Sequence, residues 1–266
     1  MDEQQYFPSN KTLWDGWTEL HLNSKMYDVD GFRKGKSSLN FIELEELGDV
    51  NGKSMLHLQC HFGLDSISWA KQGAQVTAVD FSEKAIAAAR KLNEELRQDV
   101  EFICANVYDL ENRITRQFDI VFTSYGVISW LPDINRWAEI ISHFLKDGGI
   151  FYIVEFHPVA WIFDDDLNIK YPYFHYDKPM SEIARGSYAD PEADFSQECF
   201  EWNHTISDVV NALLQQNLKI EFLHEFPFSV YNCFENMIQD EEGRWRFNLP
   251  KDSIPMMFSI KAKKSG

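Results

Sequence analysis

Residues 53–81 read KSMLHLQCHFGLDSISWAKQGAQVTAVDF, and the order of apolar runs and breaks there limits what the chain can become. Met55 to Leu58 is a short apolar run interrupted only by His57, and Gln59-Cys60-His61-Phe62-Gly63 breaks it. Leu64, Ile67 and Ala70 then recur at helical spacing, with Gly73 where a helix stops. Val76, Ala78 and Val79 open a second buried strand that delivers Asp80 at its carboxyl end. Strand, turn, helix and strand closing on an acid about 20 positions after the turn begins is how a parallel sheet holds a nucleoside. The turn lets backbone approach the ligand, and the carboxylate accepts both ribose hydroxyls.

The same alternation continues. Ser82 is a helix N-cap, and Ile86, Ala89, Leu92 and Leu96 mark one face of the helix behind it. Val100 to Cys104, Phe118 to Thr123 and Ile150 to Val154 read as further strands, with a helix capped by Asp133 between the last two. Its buried face is Ile134, Trp137, Ile141 and Phe144. Such alternation predicts an α/β fold, a doubly wound, mostly parallel sheet. Ligands of these sheets bind beyond the strand carboxyl ends, which here are Gln59–Gly63, Asp80, Asn106, Ser124–Gly126 and Glu155–His157. Five separate segments therefore aim small or polar residues at one crevice.

Residues 1–52 read as an N-terminal helical lid: a mobile start to about residue 10, then a helix presenting Trp14, Trp17 and His21. A loop over Asp28 to Lys36 and a second helix over Leu39 to Leu47 follow. Residues 53–155 form the α/β core, and 156–203 an aromatic, aperiodic insertion expected to cap the crevice. Residues 204–266 complete the same domain. A helix buries Ile206, Val210, Leu213 and Leu214, and a strand carries Leu218, Ile220 and Phe222. A polar, loop-rich stretch from Asn232 to Asn248 leads to the last strand, Met256 to Lys261, and a basic solvated tail. Strands joined without a helix pair antiparallel, so the sheet ends in a hairpin.

A net charge of -17 argues against nucleic acid or anionic membrane as partner. No apolar run reaches the ~20 residues of a membrane helix. The four scattered cysteines show no CxxC or Cys/His metal spacing and fit a reducing cytoplasm. MDEQQYFPSN is polar and acidic, unlike a signal peptide.

Residues 53–155 closely, and 204–263 more loosely, resemble the class I S-adenosylmethionine-dependent methyltransferases, whose seven-stranded sheet ends in the antiparallel hairpin just inferred. The family's first turn usually reads acidic-x-Gly-x-Gly-x-Gly; here it is His57-Leu58-Gln59-Cys60-His61-Phe62-Gly63, and only Gly63 keeps its glycine. Gln59 and His61 must therefore tolerate the glycine geometry or shift the turn. LHLQCHFGLDS resembles a glycine-poor variant of that turn in a small-molecule branch of the family. The resemblance implies S-adenosyl-L-methionine as cofactor and S-adenosyl-L-homocysteine as its product. It places Gln59, Cys60, His61 and Gly63 at the amino-acid end, Asp80 on the ribose and Phe81 against adenine. Asn106 and the Val107 N–H would meet the adenine edge, and Ser124 with Tyr125 would line the methyl-transfer site.

In-line displacement at a sulfonium needs orientation and dryness, worth ~7–11 kcal/mol. It needs a general base only where the nucleophile holds its proton. Candidates at the crevice mouth are His21, Tyr125, Glu155 and His157, each equally readable as a structural hydrogen-bonding group. No metal is expected, and the Asn-Pro-Pro-Tyr signature of nucleic-acid amino methylation is absent. The expected acceptor is a small, partly apolar molecule, with the protein a monomer or homodimer. Two rivals stay open: a non-catalytic binder of the same cofactor, and an NAD-dependent oxidoreductase, whose closely spaced glycines are missing here.

Overall fold

Strands buried on both faces are nearly all apolar, and the central runs of this chain follow that rule. In the computed structural model, which describes residues 5–164, 166–176, 178–234, 237–248 and 254–266, they form one seven-stranded sheet. Its parallel part comprises β1 (Ser54–Leu58), β2 (Gln75–Asp80), β3 (Glu101–Cys104), β4 (Phe118–Ser124) and β5 (Leu145–Phe156). With β6 (Met180–Arg185), β7 (Ser196–Glu201), β8 (Leu218–Phe226), β9 (Met237–Gln239), β10 (Trp245–Phe247) and β11 (Met257–Lys264) following in the chain, the sheet order is β3-β2-β1-β4-β5-β11-β8. β11 runs antiparallel to both β5 and β8, giving the expected terminal hairpin.

Alternate residues of each strand feed two cores. Met55, Val76 and Ala78 pack with helices α3 (Phe41–Leu47), α4 (Leu64–Lys71) and α5 (Glu83–Glu95). Leu56, Leu58 and Val79 pack with α6 (Ile134–Phe144) and α7 (Ile206–Gln215). Ser82 and Asp133 cap α5 and α6 as the sequence predicts, each side chain accepting backbone N–H groups.

Several local expectations are corrected. The start of the chain is ordered by Phe7, where α1 (Phe7–Asn23) begins; residues 1–4 lie outside the described residues. The Asn10 amide both donates to Phe200 O (2.8 Å) and accepts from Phe200 N (2.9 Å), clamping α1 to β7. The 28–36 loop contains a short helix, α2 (Val29–Arg33), capped by Asp28 in a left-handed conformation. The aperiodic insertion holds the β6–β7 hairpin, and the 232–248 stretch holds a small β9–β10 hairpin. Helix α7 buries Val209, Ala212 and Leu213, with the expected Ile206 and Val210 packed beside them, whereas Leu214 is 50% exposed on the outer side. β11 extends to Lys264, whose ammonium donates to the Ser142 and Leu145 carbonyls, so the basic tail is tied down.

Gly63 sits between β1 and α4 with φ +79°. A Cβ there would lie 2.5 Å from the Phe102 ring and 3.1 Å from Ala89 Cβ, so its small size lets β3 and α5 close on the turn. Gly52 has a similar φ of +73° but nothing within 4 Å. Gly63→Ala should cost about 3 kcal/mol, combining strained φ with overpacking. Gly52→Ala should cost only about 1 kcal/mol, from φ alone. Urea unfolding of the two variants checks the difference; equal losses would refute the packing role of Gly63.

Candidate active site

The first turn keeps a glycine-like backbone without the glycines. Gln59 has φ +55° and His61 φ +50°, which joins them to Gly63 in a run of alternating left-handed residues. Each non-glycine residue so held costs roughly 1–2 kcal/mol, and the hydrogen bonds around the turn offset this. Gln59 Nε2 donates to Val127 O (2.9 Å), linking the turn to the loop after β4. The His61 N–H donates to Asp80 Oδ2 (2.8 Å), and the Ser82 N–H to Asp80 Oδ1 (2.9 Å). Asp80 thus joins the turns that follow β1 and β2. Burial lifts its carboxyl to about 6, while these N–H groups act in the opposite direction.

Asn106 follows β3 and caps the next turn, its Oδ1 accepting from Tyr108 N (3.1 Å). After β4, Ser124 Oγ donates to Asp65 Oδ2 (3.0 Å). Tyr125 stands at φ +34° and donates its phenol to Glu43 Oε2 (2.7 Å). Glu43 is fully buried; burial, then the charge of Asp65, raises its carboxyl to about 7.

All of these segments open on one cavity of about 880 Å³. Gln59, Cys60, His61, Gly63, Asp80, Phe81, Asn106, Val107, Ser124 and Tyr125 all line it. Trp14 and Trp17 of α1 close one side, and Cys199 and Glu201 of β7 another. The volume is at the upper end of the range for ligand pockets.

Three candidates for the reacting end are absent from that lining, and the reasons are local. Glu155 is buried beneath the β4 loop. Its carboxylate accepts the N–H groups of Gly126, Val127 (2.8 Å), Ile128 (3.3 Å) and Phe156 (2.7 Å), so its lone pairs are committed to backbone. His157 Nδ1 accepts from Val159 N (3.1 Å), which leaves Nε2 to donate to Glu225 (2.8 Å), on the side of β8. His21 lies behind His61, its Nδ1 2.9 Å from His61 Nε2, and burial lowers its pKa to about 3. Both imidazoles are neutral, His61 also being held low by burial and by His21.

Other residues were not singled out from sequence. Asp15 of α1 accepts from Ser82 Oγ (2.6 Å) and Lys84 N (3.2 Å), fastening that helix to the start of α5. Asp65 follows the retained glycine by two positions, a proximity that could have marked it. Glu201 lies in the aperiodic insertion, where no pattern pointed to it.

The residues present suit an adenosine-bearing cofactor. Among the described residues, Gln59 Oε1 and His61 Nδ1 are buried without partners on cavity-lining side chains, and the Asp80 carboxylate has only backbone N–H groups as hydrogen-bond partners. Among the described residues no group of His, Cys, Asp or Glu is arranged to hold a metal ion, and no helix is long and apolar enough to cross a membrane.

Comparison with known proteins agrees with this geometry. Residues 56–151 match the family model described as a methyltransferase domain. The ubiquinone biosynthesis O-methyltransferase of Xanthomonas oryzae pv. oryzae (strain PXO99A) is 31% identical over 135 residues, covering 50% of this chain and 56% of that protein. The chain therefore spans little more than half the length of the curated relatives it matches. Among solved structures, an S-adenosylmethionine-dependent methyltransferase from Listeria monocytogenes superposes with a TM-score of 0.58 at 20% identity, over 85% of this chain and 98% of that one. Another from Mesorhizobium loti gives 0.56 at 18% identity, over 87% and 100%. At these identities the superpositions establish the fold. The matched core is similar to methyltransferase domains, and the fold, with the crevice at its strand ends, is that of the S-adenosylmethionine-dependent methyltransferases of known structure.

Proposed function

We propose that this protein transfers a methyl group from S-adenosylmethionine to a small-molecule acceptor held in the same cavity. The observation that carries this reading is the continuity of one cavity from Asp80, Phe81 and Asn106 to Trp14, Trp130 and Glu201. A relative named for ubiquinone biosynthesis supports a small-molecule acceptor.

The cofactor, when bound, supplies a methyl already activated on a sulfonium, so the work of the chain is orientation and exclusion of water. In this reading Asp80 accepts the ribose hydroxyls, Phe81 packs on adenine, and Asn106 with the Val107 N–H reads its edge. Gln59, Cys60, His61 and Gly63 hold the amino-acid end, assisted by Ser124. Tyr125, whose phenol Glu43 orients, faces the reacting region. His21 positions His61, while Glu155 and His157 hold the loops after β4 and β5. Helix α1 and the β6–β7 hairpin serve as lid and cap, contributing aromatic walls that keep water out. The terminal antiparallel hairpin and the glycine-poor turn weigh against the oxidoreductase alternative.

Isothermal titration with S-adenosylhomocysteine tests the cofactor site. Wild type should bind, and Asp80→Asn should bind at least about tenfold more weakly, a loss of about 1.4 kcal/mol. No binding by wild type, or equal binding by the variant, overturns the reading. Labelled methyl transfer to a panel of small molecules then separates an enzyme from a silent binder.

The pH dependence follows from Asp80. Ribose hydroxyls donate to the ionised carboxylate, which exists above a pKa of about 6 in the free protein. Affinity should hold above pH 6 and fall as pH drops through it, and Asp80→Asn should flatten the profile. For folding the sign is opposite. The folded state binds this proton more tightly than the unfolded chain, so this group favours the folded state as pH falls from above 6 toward 4.

Glu155→Gln sets an amide NH2 against backbone N–H donors and should cost about 3 kcal/mol of stability by urea unfolding. Unchanged stability with lost turnover would instead place Glu155 in the chemistry.

A further inference from the structure

The acceptor end of the cavity has an electrostatic character of its own. Cys199 and Glu201 are two apart on β7 and share a face. Cys199 is buried against Leu13 and Trp17, and Glu201 continues that face to the cavity wall. Among the described residues no group hydrogen-bonds or ion-pairs with the Glu201 carboxylate. It is felt only by burial and by the like charge of Glu182, which together lift it to about 7. Among the described residues, Lys36 and Lys170 line the cavity; Lys36 pairs with Asp28 (2.9 Å), and Lys170 sits over the Tyr171 ring (4.7 Å), within reach of the charge of Glu182 and not hydrogen-bonded to Glu201.

Three tryptophans stand on the same side. Trp14 lies 5.3 Å from both Trp17 and Trp130, and Trp17 lies 6.2 Å from Trp130, all edge-to-face, and all three line the cavity. The Trp17 indole N–H is spent on Gly186 O (2.7 Å), and that of Trp130 on Gly126 O (3.0 Å). These two rings therefore offer a ligand their π surfaces and no donor. A neutral guest can offer Glu201 at most an uncharged hydrogen bond, and an anionic one forces it to take up a proton, so neither gains the stronger charge-assisted pair. An ammonium group satisfies the carboxylate and is attracted by indole faces.

We infer that the acceptor end takes a cationic small molecule, an amine protonated at neutral pH, anchored by Glu201 beside Trp14, Trp17 and Trp130. Calling this guest the acceptor rests on the methyltransferase reading; the cation site itself rests on Glu201 and the tryptophans. The inference concerns recognition and does not depend on which atom of the guest is methylated.

The cofactor also carries a positive sulfur, so the test uses its neutral product. Full-length protein saturated with S-adenosylhomocysteine is titrated with phenethylamine and, separately, with 2-phenylethanol, which keeps the skeleton but lacks the charge. The amine should bind at least about tenfold more tightly. Glu201→Gln should abolish the preference while leaving S-adenosylhomocysteine affinity within about twofold. Trp130→Leu provides a second variant that should reduce the preference even if Glu201→Gln fails to fold. Equal binding of amine and alcohol, binding of neither, or a preference that survives both substitutions overturns the inference. Failure of S-adenosylhomocysteine to bind would overturn the methyltransferase reading instead. The amine–alcohol comparison on the protein alone would then still decide the cation site.

Discussion

The carboxylate of Asp80 is the point on which the site depends. It terminates β2, yet its two oxygens reach the backbone N–H groups of His61, in the turn after β1, and of Ser82, at the head of α5. Two neighbouring crossover turns are thereby fixed relative to one another by one buried anion. Such hydrogen bonds are stronger than neutral ones because the acceptor is charged. The arrangement still leaves the carboxylate with unused acceptor capacity, which a sugar's hydroxyls can fill. The same anion is therefore a structural tie, and in the proposed reading it is also the recognition element for the nucleoside.

Helix α1 extends this arrangement outward. Asp15 accepts from the Ser82 hydroxyl and the Lys84 N–H, so the first helix is fastened at the residue pair that follows Asp80. Asn10 fastens it at the other side to β7. The aromatic walls of the cavity are held by these polar contacts at their edges as well as by packing among the rings. Burial of Trp17, Leu13 and Cys199 in one small cluster joins the start of the chain to the insertion more than 170 residues later.

The sheet and the crevice at its strand ends were legible because their signals are local and periodic. Apolar runs of strand length, Ser82 and Asp133 as caps, and an acid at the end of β2 each declare themselves within a few residues. The final hairpin was legible from a missing helix. The β6–β7 hairpin was not, because its strands are half-exposed and carry no clean alternation, and β7 is held by Asn10 of α1, far away in sequence. On α7 the expected Ile206, Val210 and Leu213 do pack on the core, and Leu214 alone was misread, its place on the buried face being taken by Val209 and Ala212. Glu155 and His157 drew attention as titratable groups at strand ends, but whether a strand-end carboxylate faces a cleft or a backbone loop is decided by tertiary packing. Glu201 was invisible for a related reason: its significance comes from what fails to pair with it.

The first turn carries a broader consequence. Its left-handed torsions persist at positions 59 and 61 although glutamine and histidine occupy them. What the fold demands there is an angle, and glycine is merely the cheapest residue that supplies it. By meeting the demand with larger residues, the chain gains two polar side chains where its relatives' usual motif has bare backbone. One of them, Gln59, stitches the turn to the loop beyond β4. The strained torsion at position 59 is thus offset by a tie between two segments that the chain order keeps far apart, a keystone in place of a bare bend.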